Sequence, residues 1–310
     1  LIDRSLYEKG EVEWNQGLTK IDLRGWFGDD VIGPGGEHKM YPHFRRIPGV
    51  ASSEEPLSGY YNRLLPVKFV LRLFAIMVFN SEDWVAEDGF DDDGDAEIDF
   101  KEFRQVACKS AEYAGEHLAL LDKLHGFDRG EGLSIGFPSE STKSQERFVS
   151  QFVGSKRKNK LSGALFEMGF ASLGGMMGFH GNELHFTEEG FYFAMLGNPV
   201  IDQKEGWEKG NRFSDKERDF LLWHFKKNVP EEWNLMLQIA NMIRDKKNRS
   251  TPMLAELISS RKLERAKASI LRTGVIARMQ ELGLVDRVRS GVDITYVLTK
   301  SGDRLLVEQE

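Results

Sequence analysis

The sequence predicts a mainly α-helical chain with small β-hairpins, an α+β fold. Three observations carry that expectation. Apolar residues recur at steps of one, three and four over long segments, as in Phe103, Val106, Ala107, Ala111, Ala114, Leu118, Leu121 and Leu124. Two short stretches alternate about a glycine turn, near Gly181-Asn182 and near Ser290-Gly291. Each is followed by the same short pattern, Phe186-Thr187-x-x-Gly190 in one and Leu298-Thr299-x-x-Gly302 in the other.

At ~100–200 residues per domain, a chain of 310 residues makes two or three domains. With 40% apolar and 29% charged residues it has the composition of a folded globular protein, which excludes disordered and collagen-like classes. The longest apolar run, Phe69–Phe79, is interrupted by Arg72, so no membrane span is expected. A single cysteine, Cys108, excludes an intramolecular disulfide and a cysteine-built zinc site. It fits a reducing compartment: the cytoplasm with its nucleoid, or the nucleus if the source is eukaryotic. The net charge of −7 argues against a uniformly basic nucleic-acid coat. Its distribution is uneven. Residues 213–310 hold 18 basic against 14 acidic residues, and residues 1–212 hold 24 against 35. Different partners for the two parts are expected.

Residues 1–60 read as an irregular N-terminal arm, since Gly33, Pro34, Gly35, Gly36, Pro42, Pro48 and Pro56 break any period. A helical domain is expected at 61–143. Its first helix starts near Leu64, and its second covers about Asp99–Leu124, with Asp99 and Glu102 spaced as an acidic capping box. An acidic run, 81–95, separates them, and a glycine-rich turn or short hairpin follows. The unit at 144–205 is expected to open with a helix ending in Lys156, Arg157, Lys158 and Lys160, then a helix over 161–170, then the first hairpin. The unit at 213–310 reads most clearly. Ser214 caps a first helix, Pro230 breaks it, and a second follows. Thr251 and Pro252 open a short third, and a fourth ends at Gly283 before the second hairpin.

That last order resembles the winged helix-turn-helix of many DNA-binding regulators. The residues that carry the likeness are MQELGLVDRVRSGVDITYVLTKSGDRLL, 279–306, and the same grammar returns in EMGFASLGGMMGFHGNELHFTEEGFYFAML, 167–196. In it Thr187 aligns with Thr299 and Gly190 with Gly302. The resemblance implies two winged-helix domains in tandem, with a diverged third copy over Leu64–Ser139. At fold level, stacked winged helices are similar to the recognition part of some type IIS restriction enzymes and of some segregation or replication proteins. It further implies that one helix enters the major groove of double-stranded DNA while the wing touches the backbone or minor groove. Arg261, Arg265, Ser269 and Arg272, spaced four, four and three, would form one stripe on that helix. Arg265 or Arg272 would read guanine, Lys267 would meet a phosphate, and Arg287 and Arg289 on the wing would do the same. Lys156, Arg157, Lys158 and Lys160 are the corresponding set in the middle unit. The plain alternative for all of them is a solvated charged surface.

A second resemblance concerns DDDGDAEIDFKEF, 91–103, which is similar to the calcium loop of an EF-hand. It implies oxygen ligands from Asp91, Asp93, Asp95, Glu97, Asp99 and Glu102 for Ca2+. Ala96 stands where that loop wants glycine, the entering segment is poor helix, and no second loop is visible. The competing reading is an acidic insertion whose end caps the next helix.

Other signals are set aside. His180 and His185 are expected in the hairpin rather than on a metal, and Cys108 in a core. Gly33–Gly36 lacks the strand–helix setting of a phosphate loop. Asp202–Lys204 and Asp245–Lys247 lack a partnering carboxylate, so no catalysis is expected. The functional expectation is DNA binding by tandem winged helices with no required cofactor. The alternatives are a protein–protein scaffold within a DNA-processing complex and a calcium-responsive regulator.

Overall fold

The computed structural model describes residues 55–79, 98–127, 130–157, 160–174, 182–202, 212–291 and 293–307. The arm expected at 1–60 lies outside them as far as residue 54. The chain is mainly helical with small antiparallel sheets. It divides into two compact units, one described between 65 and 202, the other joining 55–64 to 212–307.

In the first unit the elements are α1 (Leu65–Phe79), β1 (Ile98–Asp99), α2 (Phe100–His125), α3 (Thr142–Phe148), β2 (Ser155–Arg157), β3 (Lys160–Ser162), α4 (Ala164–Glu167), β4 (Ala171–Gly174), β5 (Glu183–Phe186) and α5 (Glu188–Met195). Helix α1 is apolar almost all round and buried all round, with Val67, Val70, Leu71, Leu73 and Ala75 fully covered. Its two cations are buried as well. Lys68 Nζ donates to the carbonyls of Phe193 and Leu196, and Arg72 to the carbonyl of Leu196 and the carboxylate of Asp202. Those carbonyls close α5, where no helical N–H can reach them, so the cations satisfy orphan acceptors at the negative end of that helix.

The domain boundary read at 143/144 is crossed by a sheet. β1 pairs antiparallel with β5, which pairs with β4, in the order β1-β5-β4. The segment 64–139, read as a separate diverged copy, thus contributes the first strand of the sheet built on the 171–186 hairpin. Its glycine-rich tail forms turns rather than strands among the described residues. Asp122 organises them by accepting from the amides of Leu133 and Ser134 and from the Ser134 hydroxyl. The helix expected to end at Lys160 stops earlier. After α3 comes one π turn, Val149–Val153, then Gly154 at φ 125° and the β2–β3 hairpin. Gly154 and Gly163 (φ 114°) approach so closely that a Cβ on Gly163 would overlap Gly154. The helix expected over 161–170 shrinks to α4.

The second unit has α6 (Asp215–Asn228), α7 (Pro230–Arg244), α8 (Ser250–Arg261), α9 (Arg265–Glu281), β6 (Val285–Ser290), β7 (Asp293–Leu298) and α10 (Lys300–Val307). Ser214 and Glu217 form a reciprocal capping box, and Pro230 occupies the first position of α7. Helix α8 begins one residue before Thr251, with Arg249 rather than Thr251 at its N-cap. Arg249 also bridges antiparallel to Thr295 of β7. From α1 in the first unit and from α7 in the second, which has α6 ahead of it, each unit therefore runs helix, short extended segment, helix, third helical segment, hairpin, helix. In each the extended segment joins the second strand of the hairpin.

The two hairpins close by the same bonds. Gly169 and Gly283 end their helices at φ 72° and 69°. The Thr187 amide donates to the Phe170 carbonyl, and the Thr299 amide to that of Leu284. Thr187 Oγ1 donates to the Gly169 carbonyl at 2.8 Å and accepts from the Gly190 amide at 3.0 Å. Thr299 Oγ1 does the same with Gly283 at 2.6 Å and Gly302 at 3.0 Å. A Cβ on Gly190 would overlap the Phe170 carbonyl, and one on Gly302 that of Leu284.

Candidate nucleic-acid interface

Helix α9 advances about 100° per residue, which sorts its side chains into three faces. Ala268, Leu271, Val275 and Met279 point into the core. Lys267, Ile270, Gly274, Arg278 and Glu281 form a second face, covered by the segment 55–64. Glu55 pairs with Lys267 at 3.4 Å, and Gly59 packs on Gly274 and the Ile270 carbonyl. Arg278 donates to the carbonyls of Ser58 and Tyr61, and Glu281 accepts from the Leu64 amide. Arg278 is also paired with Glu232 at 2.7 Å, both fully buried, and Glu281 with Arg212 at 2.9 Å. Burial pushes the Glu232 carboxyl up from its ordinary pKa, against the pull of Arg278. The third face, Arg265, Ser269 and Thr273, stays open, with Arg265 and Thr273 exposed.

The expected four-residue stripe is therefore broken. Arg261 is the last residue of α8, not part of α9, because Lys262 turns the chain at φ 51° between them. Its Nε donates to Gln238 at 2.9 Å, and its guanidinium lies 3.8 Å from Glu231. Arg272 borders the open and core faces, half-buried, with Nε enclosed and without a hydrogen-bond partner among the described residues. Lys267 lies on the covered face, 61% exposed.

On the β6–β7 hairpin the register puts Arg287 opposite Tyr296 and Arg289 opposite Ile294, all on one side. Arg289 is exposed and donates to the Gly291 carbonyl. Val288 and Val297 stand exposed on the other side. Exposed Arg249 joins this hairpin through its bridge to Thr295, while the Asn248 carbonyl accepts from the Tyr296 amide. Arg249 was missed in sequence. Its only signal was the basic run from Arg244 to Arg249, which does not say that the run ends against a strand.

In the first unit Lys156 and Arg157 lie on β2 and Lys160 on β3, so they crown a hairpin instead of ending a helix. Lys156 is exposed, with Nζ 3.4 Å from Asn182. Lys158 lies outside the described residues. So do Asp91, Asp93, Asp95 and Glu97 of the expected calcium loop. Asp99 is the N-cap of α2, accepting from the Glu102 amide at 2.9 Å. Among the described residues no three His, Cys, Asp or Glu side chains gather as a metal site. His180 is likewise outside, and His185 Nε2 lies 3.1 Å from the Gly174 carbonyl. No described helix is long and apolar enough to cross a membrane.

The second unit also has a groove of ≈ 850 Å³ whose lining includes Trp223, Trp233 and Leu305. Comparison with protein-family models, curated proteins and solved structures found no match.

Proposed function

We propose that each unit is a winged helix, the first with a basic hairpin inserted into its third helix, and that the chain binds double-stranded DNA. The observation that carries this is that one unit presents both an open face of α9, with exposed Arg265, and a two-stranded hairpin bearing Arg287 and exposed Arg289. Arg265 and Ser269 on α9 meet base edges in the major groove, while Arg249, Arg287 and Arg289 meet phosphates. Lys156, Arg157, Lys158 and Lys160 supply backbone contacts from the first unit. Arg261 and Lys267, engaged with acidic residues of the chain itself, contribute least.

The test is fluorescence anisotropy on a mixed-sequence duplex pool across salt. Affinity should fall steeply between about 50 and 200 mM salt. Arg265→Ala with Arg289→Ala should cost roughly tenfold or more, since a good base contact is worth about 1–3 kcal/mol. Salt-independent or undetectable binding would refute the reading. A second reading, a protein–protein scaffold, is favoured by one observation, the exposed Val288 and Val297 on the wing side away from the arginines.

A further inference from the structure

Two large apolar side chains stand in solvent on one helix of the first unit. Leu120 is 62% and Leu124 78% exposed, both in the second half of α2. With Tyr113 and His117 they form a stripe at steps of four, three and four, so they share one face. The core is served by a different face, through Phe103, Ala107, Ala111, Ala114 and Leu118, each nearly or fully buried. The stripe is thus surplus to the packing seen among the described residues, and two exposed leucines on one face mark a contact surface. Partial burial lowers the His117 pKa, which disfavours a charge on the stripe.

The flanking charges say what covers it. Glu116 and Lys123 are both exposed and lie seven residues apart, hence on the same flank of the stripe. Their midpoint falls between Ala119 and Leu120. A second α2 laid antiparallel about a two-fold axis at that midpoint brings Glu116 of each copy opposite Lys123 of the other, twice per pair. The isologous rule that i meets j while j meets i is met by these two charges and no rearrangement. A parallel copy would instead set this flank against the opposite flank of its partner, where the two charges do not meet.

We infer that α2 is a homodimer seam, the occupant of its open stripe being the antiparallel α2 of a second copy. The seam is short beside a standard interface of ~1,600 Å², so the dimer dissociates in the micromolar range. Sedimentation velocity on the full chain, from low to high micromolar concentration, tests this without DNA and so independently of the proposed DNA binding. The wild type should pass from monomer to dimer. Leu120→Glu should remain monomeric. Glu116→Lys or Lys123→Glu alone should weaken the dimer by about tenfold through two like-charge pairs. The double variant Glu116→Lys/Lys123→Glu should regain wild-type association. A monomeric wild type, a dimer untouched by Leu120→Glu, or a double variant no better than the singles would each overturn the proposal.

Discussion

The first and second units fasten their hairpins with the same bonds but treat their third helical segment in opposite ways. In the second unit, α9 runs unbroken from Arg265 to Glu281 and carries a strap on one face. In the first, the corresponding segment breaks into α3, a π turn, an inserted hairpin and α4. The closure survives this because it is local. A glycine in the left-handed conformation, a threonine at the next N-cap and a glycine three residues later are enough, at separations of 18 residues in one unit and 16 in the other. The third segment has no such self-sufficient code. Two facing glycines interrupt it in one unit, and Gly274 makes room for Gly59 in the other. The units also differ in how they use buried charge. Lys68 and Arg72 close the end of α5, whereas Arg278 and Glu281 hold a distant segment of chain.

The largest effect should come from the charge arrangement peculiar to the second unit. Arg278→Leu leaves Glu232 buried without its partner and should cost about 3–5 kcal/mol in urea unfolding. Arg278→Leu with Glu232→Leu should recover much of that loss, because an apolar pair replaces an orphaned charge. Equal loss in single and double variants would mean that the strap carbonyls, not Glu232, depend on Arg278.

The shared closure predicts matched effects next. Gly190→Ala and Gly302→Ala each drive a methyl into a carbonyl oxygen and should each cost about 1–3 kcal/mol or more. A tolerant variant in one unit alone would break the equivalence. Thr187→Val and Thr299→Val keep the shape and lose the cap, so each should cost about 1 kcal/mol in thermal or urea unfolding.

The smallest effect is a rate. Burial, reinforced by Glu112, pushes the Cys108 thiol above its ordinary pKa. Less thiolate is present at pH 8 than in a free thiol, so alkylation should be slow and should rise with pH beyond that point. Gly190→Ala should accelerate it by loosening the unit that holds α2. Labelling at the free-thiol rate in the wild type would contradict the partial burial of Cys108.

Several features were legible in the chain itself because their physics lies within one or two turns. The period of three and four announced α2, Ser214 announced its cap, and the repeated Thr-x-x-Gly announced two equivalent hairpin closures. The site was less legible. Arg265, Arg287 and Arg289 could be named as candidates from spacing, but the stripe through Arg261 failed at Lys262, a single left-handed residue that no periodicity reveals. The basic cluster at 156–160 was assigned to a helix end because Gly154 gives no sign, in sequence, of the glycine it will face nine residues later.

By itself the sequence determined what short-range forces determine: a mainly helical chain, two hairpins, and several capping residues, among them Asp99, Ser214, Thr187 and Thr299. Only the tertiary structure decided the long-range pairings. Ile98 joins a strand at Leu184. Arg249 joins Thr295. Leu57 and Leu64 reach carboxylates on α7 and α9 across 175 and 217 residues. Such contacts depend on which buried donors and acceptors are left unpaired once the helices have packed, and a buried polar group must find a partner wherever in the chain it lies.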